Sequence, residues 1–119
     1  MTLHLAAPDG MTPEEREKAL RREEDRLIRD QHLAEELLSN QLLVGAFEAL
    51  EEHYFRLLRN FDPTKPEIAV AARLNLKAID EVRQELRAVV NTGKMTGMQR
   101  AQREAVATQE GASDYETRG

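Results

Sequence analysis

Between Pro13 and Pro63 the chain contains no proline, and its only glycine in that stretch is Gly45. These are the two residues that most reliably interrupt a helix. Their absence commits residues 13–60 to one helix, or to two collinear ones, spanning on the order of 70 Å at 1.5 Å per residue. The composition agrees. Five aromatic residues (3 Phe, 2 Tyr, no Trp) and a charged fraction of 33% leave only an aliphatic, thin core. With 119 residues and no cysteine, the chain has room for one small domain and none for disulfides, zinc ribbons, iron–sulfur clusters or thiol catalysis.

Order is expected to begin at Thr12, after a flexible leader over residues 1–11 that contains Pro8, Asp9 and Gly10. Thr12-Pro13-Glu14-Glu15 fits a helix start at every position: a hydroxyl at the N-cap, Pro at N1, and Glu at N3 reaching back to the cap. Residues 14–30 are dominated by charge, with Glu14/Lys18, Glu17/Arg21 and Asp25/Arg29 at i,i+4. Only Ala19, Leu20, Leu27 and Ile28 are apolar there. Such a helix is expected to project, or to pair along one narrow stripe. The stretch from Leu37 to Phe61 is different, because Leu38, Leu42, Phe47, Leu50, Tyr54, Leu57, Leu58 and Phe61 make a broad apolar face. Ser39-Asn40 is the candidate break within it.

Asn60-Phe61-Asp62-Pro63-Thr64-Lys65-Pro66-Glu67 is the clear internal breaker, with Thr64 and Glu67 suggesting a second capping box. A loop this short folds the next helix back antiparallel. That helix, over 65–91, shows a four-three stripe through Ile68, Ala72, Asn75, Ile79, Val82, Leu86 and Val89, widened by Leu76 and Val90. Asn75 either sits in this stripe, where a polar group fixes register, or yields the inward place to Leu76. Gly93 is expected at the left-handed C′ position, followed by a weakly helical, basic linker over 94–107 and a disordered tail over 108–119. The fold class is therefore all-α: a long antiparallel, coiled-coil-like helical hairpin over residues 12–93, with a projecting charged N-terminal helix and flexible termini.

No catalytic constellation emerges. His4, His32 and His53 lack metal-ligand spacing, and Glu51-Glu52-His53 is not the Glu-x-x-His of di-iron bundles. Gly93-Lys94-Met95-Thr96 lacks the upstream glycine and the preceding strand of a phosphate loop. Ser39 and Ser113 have neither an elbow motif nor a base arrangement around them. The expectation is a non-enzyme with no metal and no cofactor. A net charge of −5 argues against a uniformly basic surface, leaving Lys94, Arg100 and Arg103 as candidate phosphate contacts, with a solvated linker preferred. The longest mostly apolar run is too short for a bilayer, and no signal peptide is visible, so no membrane partner is expected and the cytoplasm is the expected location.

Two helices make a marginal core, and with neither staple nor metal, association remains. A homo-oligomer or a stable complex is expected, with Leu20, Leu27, Ile28, Leu38, Leu42, Asn75, Ile79, Val82 and Leu86 as candidate interface residues.

Across a little over half the chain, Leu37-Leu38-Ser39-Asn40, Ala46-Phe47-Glu48-Ala49-Leu50-Glu51-Glu52-His53-Tyr54, the Asp-Pro turn, Leu76-Lys77-Ala78-Ile79-Asp80-Glu81-Val82 and Asn91-Thr92-Gly93-Lys94 resemble small helical packaging and head-assembly proteins of tailed bacteriophages. The resemblance implies a non-enzymatic role in genome packaging or capsid assembly in a bacterial host cell, one form being a small terminase subunit that engages another phage motor or assembly protein. A helix-turn-helix ahead of the hairpin is missing, and no functional residue carries over. The alternative is a small helical module that inhibits or regulates a host protein by capturing a partner helix in its apolar groove.

Overall fold

A computed structural model describes residues 10–118 as three helices, α1 (Pro13–Ser39), α2 (Gln41–Arg59) and α3 (Pro66–Arg118). Among the described residues there is no strand, so the chain is all-α as its sequence predicts. Residues 1–9 of the expected leader and Gly119 of the expected tail lie outside the described residues.

The first helix starts as expected. The Glu15 amide donates to the Thr12 hydroxyl at 3.1 Å, and the Thr12 amide donates to Glu15 Oε1 at 3.2 Å, so the capping box closes in both directions. The break falls at Asn40. Its side-chain oxygen accepts from the amides of Leu42 and Leu43, both at 3.0 Å, which satisfies two donors that no preceding turn can reach. Just before it, the Ser39 hydroxyl donates to the carbonyls of Glu35 and Glu36 at 2.9 and 3.3 Å and closes the end of α1. The stretch from 13 to 60 is therefore two helices rather than one.

The second capping box does not form. Because α3 begins at Pro66, its N-cap is Lys65 and Glu67 falls at N2 instead of N3. Thr64 turns the other way: its amide and hydroxyl both donate to Asp62 Oδ1, at 2.9 and 2.7 Å, making an Asx turn at the reversal. The same two bonds hold the Asp62 carboxyl below its ordinary range.

The largest correction concerns the end of α3. No glycine among the described residues has positive φ, and Gly93 is buried within a helix that continues to Arg118. The helix therefore does not stop at Asn91-Thr92-Gly93; the stretch over 94–107, read as weakly helical, continues it without a break, and residues 108–118, expected as a disordered tail, are helical too. A mid-helix glycine costs about 1 kcal/mol against alanine, which packing can offset. Thr96, one turn on, is buried with its hydroxyl donating to the Thr92 carbonyl at 2.8 Å.

The chain divides into two compact units. Unit 2, Gln31–Asn91, holds the end of α1, all of α2 and the first part of α3. Here α3 turns Ala69, Ala72, Leu76, Ile79, Arg83, Leu86 and Val90 inward at spacings of three and four. Ala72, Ile79 and Leu86 keep their expected places, but alternate positions of the stripe shift by one residue: Asn75 and Val82 are exposed, and Leu76 and Arg83 take the inward places. From α2 come Leu43, Val44, Phe47, Glu51, Tyr54 and Leu58, all half-buried.

Unit 1 pairs the first part of α1 with α3 beyond Asn91. Glu24 meets Arg100 and Arg103 across this pair, so the charged half of α1 is accompanied rather than projecting alone. Its partner is the segment that its composition marks as a linker. Of the expected i,i+4 pairs, Glu17–Arg21 forms at 3.4 Å, whereas Asp25 reaches Arg100 at 2.9 Å instead of Arg29.

Candidate functional site

Each unit places one carboxylate–guanidinium pair where an apolar contact would ordinarily sit. In unit 1, Glu24 occupies the inward face of α1 one turn beyond Leu20 and is only 5% exposed. Arg103 donates to both its oxygens, at 2.7 and 2.8 Å, and Arg100 Nε donates at 3.2 Å. The Arg100 Nη2 also reaches Asp25 and the Arg21 carbonyl. The hydrogen bond from Arg103, supported by Arg100, outweighs the cost of burial and holds the Glu24 carboxyl at about 2, against an ordinary 4.5. Both guanidiniums are in turn pushed up, Arg100 chiefly by Asp25 and Arg103 by Glu24.

Beside this cluster is a cleft of about 270 Å³ lined by Glu17, Arg21, Asp25, Arg100, Arg103 and Glu104, together with Ala107. Acids and bases balance across it. Such a surface has no net attraction for phosphate, and Arg100 and Arg103, read from sequence as phosphate contacts, are committed to Glu24 and Asp25. Lys94 is exposed.

In unit 2, Arg83 extends from α3 to α2 and donates to both oxygens of Glu51, at 2.8 and 2.9 Å. Its guanidinium carbon also stands 5.1 Å from the centre of the Phe47 ring, a cation–π distance. Leu37, Leu38, Leu43, Val44 and Phe47 form, with Arg83 and Arg87, a cleft of about 210 Å³, enough for one or two side chains. The Glu51 carboxyl is lowered, first by its hydrogen bond with Arg83.

The rest of the surface is defined by what is not covered. Among the described residues the buried apolar ones are Ala34, Ala69, Ala72, Ile79 and Val90, and no large side chain is completely buried. Nothing in α2 is buried. Of the residues expected at an interface, Leu27, Ile28, Leu38 and Leu86 are half-buried within the chain and Ile79 is fully committed to the core. Leu20 and Val82 are exposed with Asn75, and Leu42 is 85% exposed. Among the described residues no group of three His, Asp or Glu is placed to hold a metal ion, and no helix is long and apolar enough to cross a membrane.

Sequence reasoning missed Glu24, Glu51 and Arg83. The available signal was a charge at an inward heptad position on each of two helices, opposite in sign: Glu24 after Leu20, and Arg83 between Ile79 and Leu86. No protein-family description, curated protein or solved structure matches this chain.

Proposed function

We propose that this chain is a non-enzymatic assembly protein that acts as a homo-oligomer. The observation that supports this is the mismatch between apolar surface and core. Five small or medium apolar side chains are buried, while Leu33, Leu37, Leu42, Leu50, Phe55 and Phe61 remain exposed in unit 2. A domain that buries so little by itself is marginal, and closing such faces against another chain is the usual remedy. The resemblance of residues from about 30 to 94 to packaging and head-assembly proteins of tailed bacteriophages narrows the role to genome packaging or capsid assembly, with a small terminase subunit as one form. In that setting the protein works in the cytoplasm of the bacterial host or joins the virion, handing its helical faces to a motor or capsid protein.

DNA binding forms no part of the proposal, because the guanidiniums that would supply it already hold Glu24. A second reading, a module that inhibits or regulates a host protein, is favoured by the Phe47 cleft, which has the size and apolar lining to take a partner's side chain. Light scattering coupled to size exclusion separates the two. A mass of two or more chains, stable at low and moderate salt, is the expected result; one chain mass at every concentration overturns the assembly reading in favour of the module.

A further inference from the structure

The two sides of the α2–α3 pair differ in chemistry. The Phe47 cleft places Val44 of α2 and Arg87 of α3 on one side. Helical periodicity adds Glu48, Phe55 and Arg59 to that side from α2, and Arg73, Asp80 and Gln84 from α3. It is a mixed surface, in which charged side chains alternate with Val44 and Phe55 and onto which the Phe47 cleft opens.

The opposite side carries Ala46, Leu50 and Leu57 of α2 and Ala71, Ala78 and Val82 of α3. His53 and Asn75 are polar side chains within it, and Glu85, one heptad on from Ala78, is the charged side chain at its α3 margin. Leu50 and Val82 are 44% and 48% exposed, so among the described residues this face has no cover. The alanines leave shallow hollows between larger residues, the relief that lets two helical layers approach closely. At 19 residues long and two helices wide, the face measures about 28 Å by 20 Å, near the lower end of specific interfaces.

The edges carry complementary charge. At the outer edge of α2 stands Arg56, whose partner Glu52, at 3.6 Å, is held more closely, at 2.8 Å, by Arg59 of the charged side, which leaves Arg56 incompletely matched. The α3 edge carries Glu81 and Glu85, and neither forms a salt bridge among the described residues. The Glu51–Arg83 crossing puts Arg56 level with Ala78, within one turn of Glu81. In a two-fold pair that lays α2 of one copy along α3 of the other, Arg56 of each copy meets the negative edge of its mate.

We propose that this mostly apolar face is the site at which a second copy of the chain docks, closing an α2–α3 four-helix bundle with Arg56 opposite Glu81. The proposal rests on the oligomeric reading above and specifies where it happens. Antiparallel helical pairs joined by short turns close their apolar faces in this way, and most homo-oligomers are two-fold at their basic contact.

The chain has no native cysteine, so single thiols report on single positions. In the full-length protein, Ala46→Cys and Ala78→Cys are expected to be alkylated by iodoacetamide at least about tenfold more slowly at concentrations where the protein is associated, while Gln84→Cys on the charged side reacts alike at all concentrations. Ala78→Glu is expected to reduce the mass by light scattering while keeping the helical circular dichroism, and Gln84→Glu to leave the mass unchanged. An associated wild type whose Ala46→Cys and Ala78→Cys thiols stay fully reactive overturns this face and leaves the oligomeric reading standing. A wild type of one chain mass overturns both.

Discussion

Arg83 grips Glu51 with two parallel hydrogen bonds while its guanidinium carbon stands 5.1 Å from the centre of the Phe47 ring, so one side chain ties α3 to two residues of α2 one turn apart. The side chains of Arg83 and Glu51 are 21% and 29% exposed, enough shelter for the pair to escape most screening. Arg83→Met keeps much of the volume and loses the pair. It is expected to cost about 1 kcal/mol, and the double variant with Glu51→Gln is expected to cost less than the two single changes added together. Urea unfolding of the four proteins gives the coupling; additive costs would mean the contact contributes nothing.

Asn40 is the whole connection between α1 and α2, and its side chain holds the Leu42 and Leu43 amides. Asn40→Ala is expected to lower stability by about 1 kcal/mol, while Asn40→Asp, which keeps an acceptor in the same place, is expected to be near neutral. Hydrogen exchange at Leu42 and Leu43 should accelerate in the alanine variant alone.

The Glu24 carboxyl titrates near 2 when folded and near its ordinary 4.5 when unfolded, so the unfolded chain binds the extra proton between those values. Stability from this cluster is therefore complete above the unfolded value and is lost as pH falls toward 2. Thermal unfolding of wild type is expected to drop more steeply below about pH 5 than that of Glu24→Gln, which has no carboxyl to protonate. Parallel pH profiles for the two proteins would remove Glu24 from the acid sensitivity.

Gly45 and Gly97 sit inside helices with ordinary backbone angles, and a Cβ added at either meets no atom within 4 Å. Gly45→Ala and Gly97→Ala are each expected to stabilise by about 0.5–1 kcal/mol, by lowering the freedom of the unfolded chain. A melting temperature that rises with each change and adds in the double variant is the expected result.

What the sequence makes legible is local. Thr12, Glu15 and Pro13 sit next to one another, and their cap follows from chemistry within four residues; the turn at Asp62-Pro63 is legible for the same reason. The inward stripe of α3 is less so, because Arg83 reads as a solvent residue and shifts the apparent stripe onto Val82. Only Glu51, thirty-two positions away, makes sense of Arg83 inside. Gly93 misleads in the same manner. A Gly after Asn-Thr resembles a helix end, and what carries the helix past it is packing against residues distant in sequence. Among the candidate interface positions, Leu42 and Val82 are exposed, whereas Ile79 belongs to the core.

The two ion clusters also set an order of events. Glu51 and Arg83 are separated by 32 residues, and Glu24 and Arg103 by 79. Closing the longer loop in an unfolded chain costs about 0.8 kcal/mol more, by the logarithmic dependence on length. That handicap shrinks once the Asp62 reversal and the Arg83 contact have already folded the intervening chain. Loop lengths alone thus predict a nested zipper, with the inner pair as its first tooth and the outer pair as its last. Changes at Arg83 should slow the forward rate, while changes at Glu24 should show mainly in the rate of unfolding.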